Sequence, residues 1–308
     1  MNDSLLSRDG LSLDRLRSFL AVAESGSIAK AAPDNLSRQA QMSRQIGELE
    51  AFFGTELTVR RGKTLALSPA GERLAVLVRQ QFEDLRDFHR EQHQQPKTFR
   101  IGAGASLLEW LVIPAMKEIR HALRGASLHL EVKRSRELVE AVREGGLDFA
   151  VLREDALGDE QRLKTSLRLT SMSFHLCAAR HLARTSTKLG LTSPQDWGNL
   201  PWAILTGGGQ LDTKIRGILA AACPAMTPAV ECTSLLQVKE LVIRGVCAGI
   251  LPLMGMQGLT EAGVVSREIE PLKDYGRPLV LHWNERQMRR RGVGEDVIKE
   301  LAKKLWSK

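Results

Sequence analysis

The sequence predicts a two-part chain: a helical N-terminal head, then an α/β region with mostly parallel sheet. Three observations lead there. Apolar residues recur at helical spacing through the first 53 positions. One long amphipathic segment follows the head. After residue 96, strand-like and helix-like segments alternate, the pattern of a layered α/β fold. A length of 308 residues fits about two domains.

The head reads in order. Leu13, Leu16, Phe19, Leu20 and Ala23 share one face of a first helix, which Ser25 and Gly26 end. Ser27 is placed to cap a short second helix through Ile28, Ala31 and Ala32. A third helix, 38–53, gathers Met42, Ile46, Leu49 and Phe53 on one face and shows Gln39, Ser43, Arg44 and Glu48 on the other. Gly54 is its C-terminal stop. Two short strand-like pieces at 57–59 and 64–67, joined by Arg60-Arg61-Gly62-Lys63, make a hairpin with a basic tip, a wing. Ser68-Pro69 opens a long helix, with proline at its first position. Its stripe of Leu74, Leu77, Val78, Phe82, Leu85 and Phe88 calls for a partner surface. The polar run 92–95 and Pro96 place a domain boundary at 95/96.

Beyond it, the strand segments are 98–103, 127–133, 147–152, 172–178, 202–206, 229–232, 247–251, 264–269 and 278–283. Helices are expected at 107–123, 137–145, 211–222, 235–245 and 293–306. The region forms one domain or two lobes on this pattern, and it contains no internal repeat.

Composition excludes several classes. The apolar run 245–256 is too short and too broken by glycine and proline for a membrane span of ~20 residues. The first ten residues lack a basic segment followed by an apolar one, so a cytoplasmic protein is expected. Cysteines 177, 223, 232 and 247 form no CxxC pair and read as buried reduced thiols. The net charge of +8 does not by itself indicate nucleic acid, because residues 1–95 hold 13 basic and 13 acidic side chains. Any case for DNA rests on local placement. Three short helices with a polar-faced third fit a helix-turn-helix, although a generic three-helix bundle shares the spacing. In that reading Gln39 and Gln41 suit adenine, Arg38 and Arg44 suit guanine, and Ser27, Ser43 and the wing residues Arg60 and Lys63 hold phosphates.

The stretch from Leu16 to Ala32 resembles the opening of LysR-type transcriptional regulators. So do Met42-Ser-Arg-Gln-Ile-Gly-Glu-Leu-Glu50, Phe53-Gly54, Leu57, Arg60, Lys63, Leu67-Ser-Pro-Ala-Gly71 and Leu74. The match runs ungapped over about 60 residues. The resemblance implies a winged helix-turn-helix at 1–68, a dimerising linker helix at 69–95 and a two-lobed, periplasmic-binding-protein-like effector domain at 96–308. It implies that Gln39, Ser43 and Arg44 face DNA, with Arg60 at the wing base. The segment 33–41 departs: Arg38 stands for the family's usual serine, Ala40 for its proline, and Pro33 shortens the second helix. Lys63 stands for a wing-tip arginine, keeping charge but losing the planar fork.

The two-lobed arrangement implied by the family puts lobe I at 97–165 and 267–308 and lobe II at 166–266, with crossings near 162–169 and 266–269. A cleft between such lobes gathers strand ends and helix N-termini, which favour anions. Candidate contacts are Ala105 and Ser106 after the first strand, Ser135 before a helix (a position where family members often carry an effector-binding Ser or Thr), Thr206 with the glycines 207–209, and Thr233 with Ser234. Taken singly each reads first as a helix cap or turn; their concurrence at strand ends of both lobes is what points to a shared site. These donors, with almost no carboxylates, point to an organic anion such as a carboxylate.

No catalytic set emerges. There is no GxSxG, HExxH or P-loop, and the Gly102–Ser106 turn lacks the third glycine of a dinucleotide fingerprint. His89 and His93 read as an exposed helix face, and His175 with Cys177 as core packing. The run 289–291 reads as a solvated loop. Expected partners are double-stranded DNA, a small-molecule effector and further copies of the chain as dimer or tetramer, with RNA polymerase added if the protein activates. No metal or cofactor is expected. The alternatives are a constitutive DNA-binding regulator without an effector and an α/β enzyme with an accessory helical head.

Overall fold

The computed structural model describes residues 9–61, 64–184, 191, 197–206, 210–224, 226–273 and 275–306. Contacts divide the chain into two compact units, Met1–Lys97 with Arg143–Gly146, and Thr98–Val142 with Leu147–Lys308.

The first unit holds α1 (Leu13–Ser25), α2 (Ile28–Ala31), α3 (Leu36–Phe53), the hairpin β1 (Thr58–Arg61) and β2 (Thr64–Leu67), and α4 (Pro69–Gln92). Capping sets the helix limits. Ser12, Ser27, Asn35 and Ser68 each accept a backbone N–H of the first turn through the side chain. Gly54 ends α3 at φ 63°, a left-handed conformation that favours glycine. α2 has a single turn, in keeping with Pro33 after it. The core joins Phe19, Leu20 and Val22 to Met42, Ile46, Leu49, Leu57, Ala75 and Val78. Leu13, expected on the apolar face, is 63% exposed because it opens α1.

The second unit contains two five-stranded sheets. One has the order β4-β3-β5-β12-β6, from β3 (Thr98–Ala103), β4 (Ser127–Val132), β5 (Phe149–Arg153), β6 (Ser166–Met172) and β12 (Arg277–Trp283). The other has the order β11-β7-β10-β8-β9, from β7 (Phe174–Ala179), β8 (Trp202–Leu205), β9 (Pro228–Cys232), β10 (Ala248–Pro252) and β11 (Val264–Arg267). β3 is parallel to β4 and β5, and β8 is parallel to β9 and β10, as expected of strands joined through helices. The helices between these parallel strands are α5 (Ala105–Leu107), α6 (Met116–Ala122), α7 (Ser135–Arg143), α10 (Gln210–Ala222) and α11 (Leu235–Ile243), while α8 (Asp159–Lys164) leads from β5 to β6 and α9 (Arg180–Arg184) follows β7. After β11 come α12 (Glu270–Lys273), α13 (Glu285–Arg290) and α14 (Glu295–Trp306).

Three local expectations need correction. The sequence puts the first crossing near 162–169 and the start of lobe II at 166, a stretch that overlaps β6. β6 pairs antiparallel with β12 in the first sheet, so the chain crosses between Met172 and Phe174. Its polar Arg168, Thr170 and Ser171 blur the strand pattern. The expected single helix 107–123 is broken into α5, a π-helical turn Leu108–Val112, a 3-10 turn Ile113–Ala115 and α6. Pro114 lacks the N–H that a continuous helix needs there. The run 289–291 is not a loop: Arg289 and Arg290 are exposed in the last turn of α13, and Arg291, its C-cap, is only 6% exposed.

Arg291 pairs with Asp148 at 2.7 Å, donates to the Thr98 carbonyl and stacks its guanidinium 4.1 Å from the Phe99 ring centroid. Asp148 also accepts from Gln287 Nε2 and from the Arg100 N–H. The two lobes meet at Trp110. It projects from the π-helical turn into the second lobe's core beside Leu235 and Val238, against Gly255. A Cβ at Gly255 would stand 2.8 Å from the Trp110 ring.

Candidate functional site

The first candidate surface is the outer face of α3. Burial of Met42, Gln45, Ile46 and Leu49 fixes the rotation of this helix. Gln45 is held in the core: it accepts from Ser18 Oγ at 2.7 Å and donates to Asp14 Oδ2 at 2.9 Å. The Gln45 amide, more than the nearby arginines, holds the Asp14 carboxyl below its ordinary range. With that face anchored, Ser43 and Arg44 are exposed and Arg38, Gln39 and Gln41 half-buried on the others. Arg38 Nη1 donates to Gln41 Oε1 at 3.0 Å, orienting two candidate readers together. Arg44 lies 3.7 Å from Glu48, which also binds Arg15. Gln39 is partly committed: its Nε2 donates to the Ala32 carbonyl at the end of α2, tying the turn to α3.

Ser27 is half-buried and spends its oxygen on the Lys30 N–H at 3.1 Å. Arg60 lies on β1, and Lys63 lies outside the described residues. Glu50 is a positioning residue that sequence reading passed over. Its Oε1 accepts from the Leu57 and Thr58 N–H groups and the Thr58 hydroxyl, which hangs the start of the wing from α3.

On α4 the expected partner stripe divides. Val78 is buried in the head core, with Leu74 and Phe82 packed against it, whereas Leu77, Leu85 and Phe88 are 47%, 52% and 61% exposed. Helical spacing alone makes one broad stripe of them. The head's own demand for cover takes one side and leaves Leu77, Leu85 and Phe88 outward.

In the α/β unit the strand-end candidates form two groups of three, one in each lobe. β3 and β4 run in parallel with Ala103 opposite Val132, and the Lys133 N–H donates to the Ala103 carbonyl. This sets Ala105 and Ser106 beside Ser135, all three half-buried. In the other lobe β8 and β9 end together at Leu205 and Cys232. There the hydroxyls have local work. Thr206 Oγ1 donates to the Cys232 carbonyl, Thr233 Oγ1 to Gln237 Oε1, and Ser234 Oγ accepts the Leu236 N–H as the cap of α11. α5 packs against α11, the helix that Ser234 caps. Glycines 207–209 lie outside the described residues.

The chemistry elsewhere is quiet. The four cysteines are buried and unbridged, and burial pushes the Cys177 thiol up to about 12, away from nucleophile behaviour. Lys239 sits 5.6 Å over the Trp110 ring, and burial lowers its basicity. Among the described residues no helix is long and apolar enough to cross a membrane.

Comparison with known proteins agrees with both halves. The model for the bacterial regulatory helix-turn-helix protein, lysR family, matches residues 13–72, and the LysR substrate binding domain matches residues 92–300. Among curated relatives, the regulator PecT of Dickeya dadantii is 26% identical over 65% of this chain and 63% of its own. The first such relatives are matched over only 43% to 63% of their length. Among solved structures, a full-length OxyR variant of Pseudomonas aeruginosa superposes with a TM-score of 0.62 at 18% identity, covering 96% of this chain and 94% of that one. Full-length LysG of Corynebacterium glutamicum with bound effector arginine gives 0.60 at 18% identity, over 96% of this chain and 98% of its own. At these identities the structures speak for the fold: a helix-turn-helix head and a two-lobed second half. The family models cover both units, and the chain belongs to the LysR family of bacterial helix-turn-helix regulatory proteins.

Proposed function

We propose that this protein is a sequence-specific transcriptional regulator in which α3 reads the DNA major groove and the α/β unit answers to a small organic anion. The observation that carries the reading is the division of α3. Its inner face is pinned by Met42, Ile46, Leu49 and the Gln45 bonds, and its outer face offers Arg38, Gln41, Ser43 and Arg44. An α-helix fits the major groove, and these side chain types read base edges and phosphates. The working domains are 1–68 for DNA, 69–95 for pairing and 96–308 for the effector. Leu77, Leu85 and Phe88 form the seam of a two-fold pair, and tetramers arise through the effector domains. The protein works in the cytoplasm without catalysing a reaction, and if it activates transcription it also touches RNA polymerase.

The anion is placed at Ala105, Ser106 and Ser135, with Thr206, Thr233 and Ser234 across the cleft. The local bonds of the last three favour a second reading, a regulator of constant activity with an idle cleft. Thermal-shift screening of organic acids separates the two. A ligand that binds only the folded chain raises its melting temperature by mass action. A hit whose shift shrinks in Ser106→Ala and Ser135→Ala supports the first reading. A complete absence of hits supports the second.

A further inference from the structure

A cavity of about 400 Å³ opens in the α/β unit beside the crossings between its lobes. Its wall comes from the end of β5, the start of β12 and, from the second lobe, α10. Arg277 is 6% exposed and Arg153 is half-buried. Asp155 is shared between them, Oδ1 lying 3.1 Å from Arg153 Nε and Oδ2 3.1 Å from Arg277 Nη2. Lys214 contributes a third cation, so the described lining carries three positive groups and one carboxylate. Burial first, and then the Arg277 charge, pushes Arg153 below the usual arginine range. Crowded cations in a partly buried place are costly, and a bound anion relieves that cost. Two guanidiniums offer planar donor forks matched to a carboxylate. The Tyr275 ring stacks on Phe174 at 5.6 Å between centroids and, with Pro278, supplies a flat apolar wall. The volume lies in the range of small-ligand pockets and is far too large for a lone inorganic anion.

We propose that this pocket is a second ligand site, which binds a small organic carboxylate. The carboxylate sits between Arg153 and Arg277, the apolar body rests on Tyr275 and Pro278, and Lys214 closes over it from the second lobe. None of its residues belongs to the strand-end candidates. Because Arg153 and Arg277 lie on the first sheet and Lys214 on α10, the ligand ties one lobe to the other beside their crossings. It therefore acts as a separate input to whatever lobe movement the regulator uses.

The test is calorimetric titration of the full chain with benzoate, succinate and inorganic phosphate as probes. The expected result is saturable binding of at least one of the two organic acids and weaker or no binding of phosphate. Lys214→Glu changes an exposed side chain and keeps the fold. It should weaken that binding about tenfold or more, the scale of one hydrogen bond to a charged group. Arg153→Gln should do the same, with circular dichroism as the folding control. Phosphate binding more tightly than both acids, or wild-type affinity in the Lys214 and Arg153 variants, would overturn the proposal. So would failure of both organic acids to bind.

Discussion

Single side chains carry separable duties here. Arg44 is exposed on α3 and, among the described residues, pairs with Glu48 at the surface, so Arg44→Ala should leave stability nearly unchanged. It should cost ~1–3 kcal/mol of discrimination on a specific duplex. Gln39 differs, because its amide also closes the turn onto Ala32. Gln39→Ala should weaken DNA binding and also lower stability by ~0.5–1.5 kcal/mol in urea unfolding. Arg291 is buried and neutralises the buried Asp148. Arg291→Met should cost ~3–5 kcal/mol, since one buried charge loses its partner. His282 is buried, and burial lowers its affinity for protons despite its bond to the Thr165 carbonyl. The unfolded chain therefore takes up a proton first, at about the ordinary value of 6.5. Stability should fall as pH drops through that value towards the lower folded one. His282→Gln should flatten this slope in pH-dependent melting curves.

At the scale of elements, α4 serves two surfaces with one sequence. Val78 belongs to the head core, while Leu77 and Leu85 point outward. Val78→Asp should unfold the head. Leu77→Asp and Leu85→Asp should leave each chain folded but yield smaller species in sedimentation, because a charge then lies in the pairing seam. Retention of native mass in both variants would place the pairing surface elsewhere. Much of this level was legible in the sequence. Caps at Ser27 and Gly54 and the proline at 69 mark helix limits through local chemistry, and β3 was located residue for residue. What escaped depends on distant partners. β6 is a strand because β12, more than a hundred residues later, pairs with it. The Asp148–Arg291 pair spans 143 positions, and no spacing rule links them. For the candidate site, the outer face of α3 was readable from periodicity. The local ties on Gln39, Thr206 and Thr233 were not, because they depend on side-chain rotamers.

For the whole molecule, a pinned reading helix and an α/β unit with two candidate ligand places share one chain. On the proposed function, α3 gives this chain sequence-specific DNA recognition as a two-fold pair. Paired helix-turn-helix heads bind half-sites about one helical turn apart, so the preferred DNA should be an interrupted palindrome. The most direct measurement is selection of duplexes from a random-sequence pool by the full chain, run in parallel with Arg38→Ala and Arg44→Ala. Enrichment of one interrupted palindrome by the wild type, with loss or relaxation of particular base positions in the variants, is the predicted result. A pool that stays random, or the same motif at the same affinity in all three proteins, would show that α3 does not read the DNA sequence.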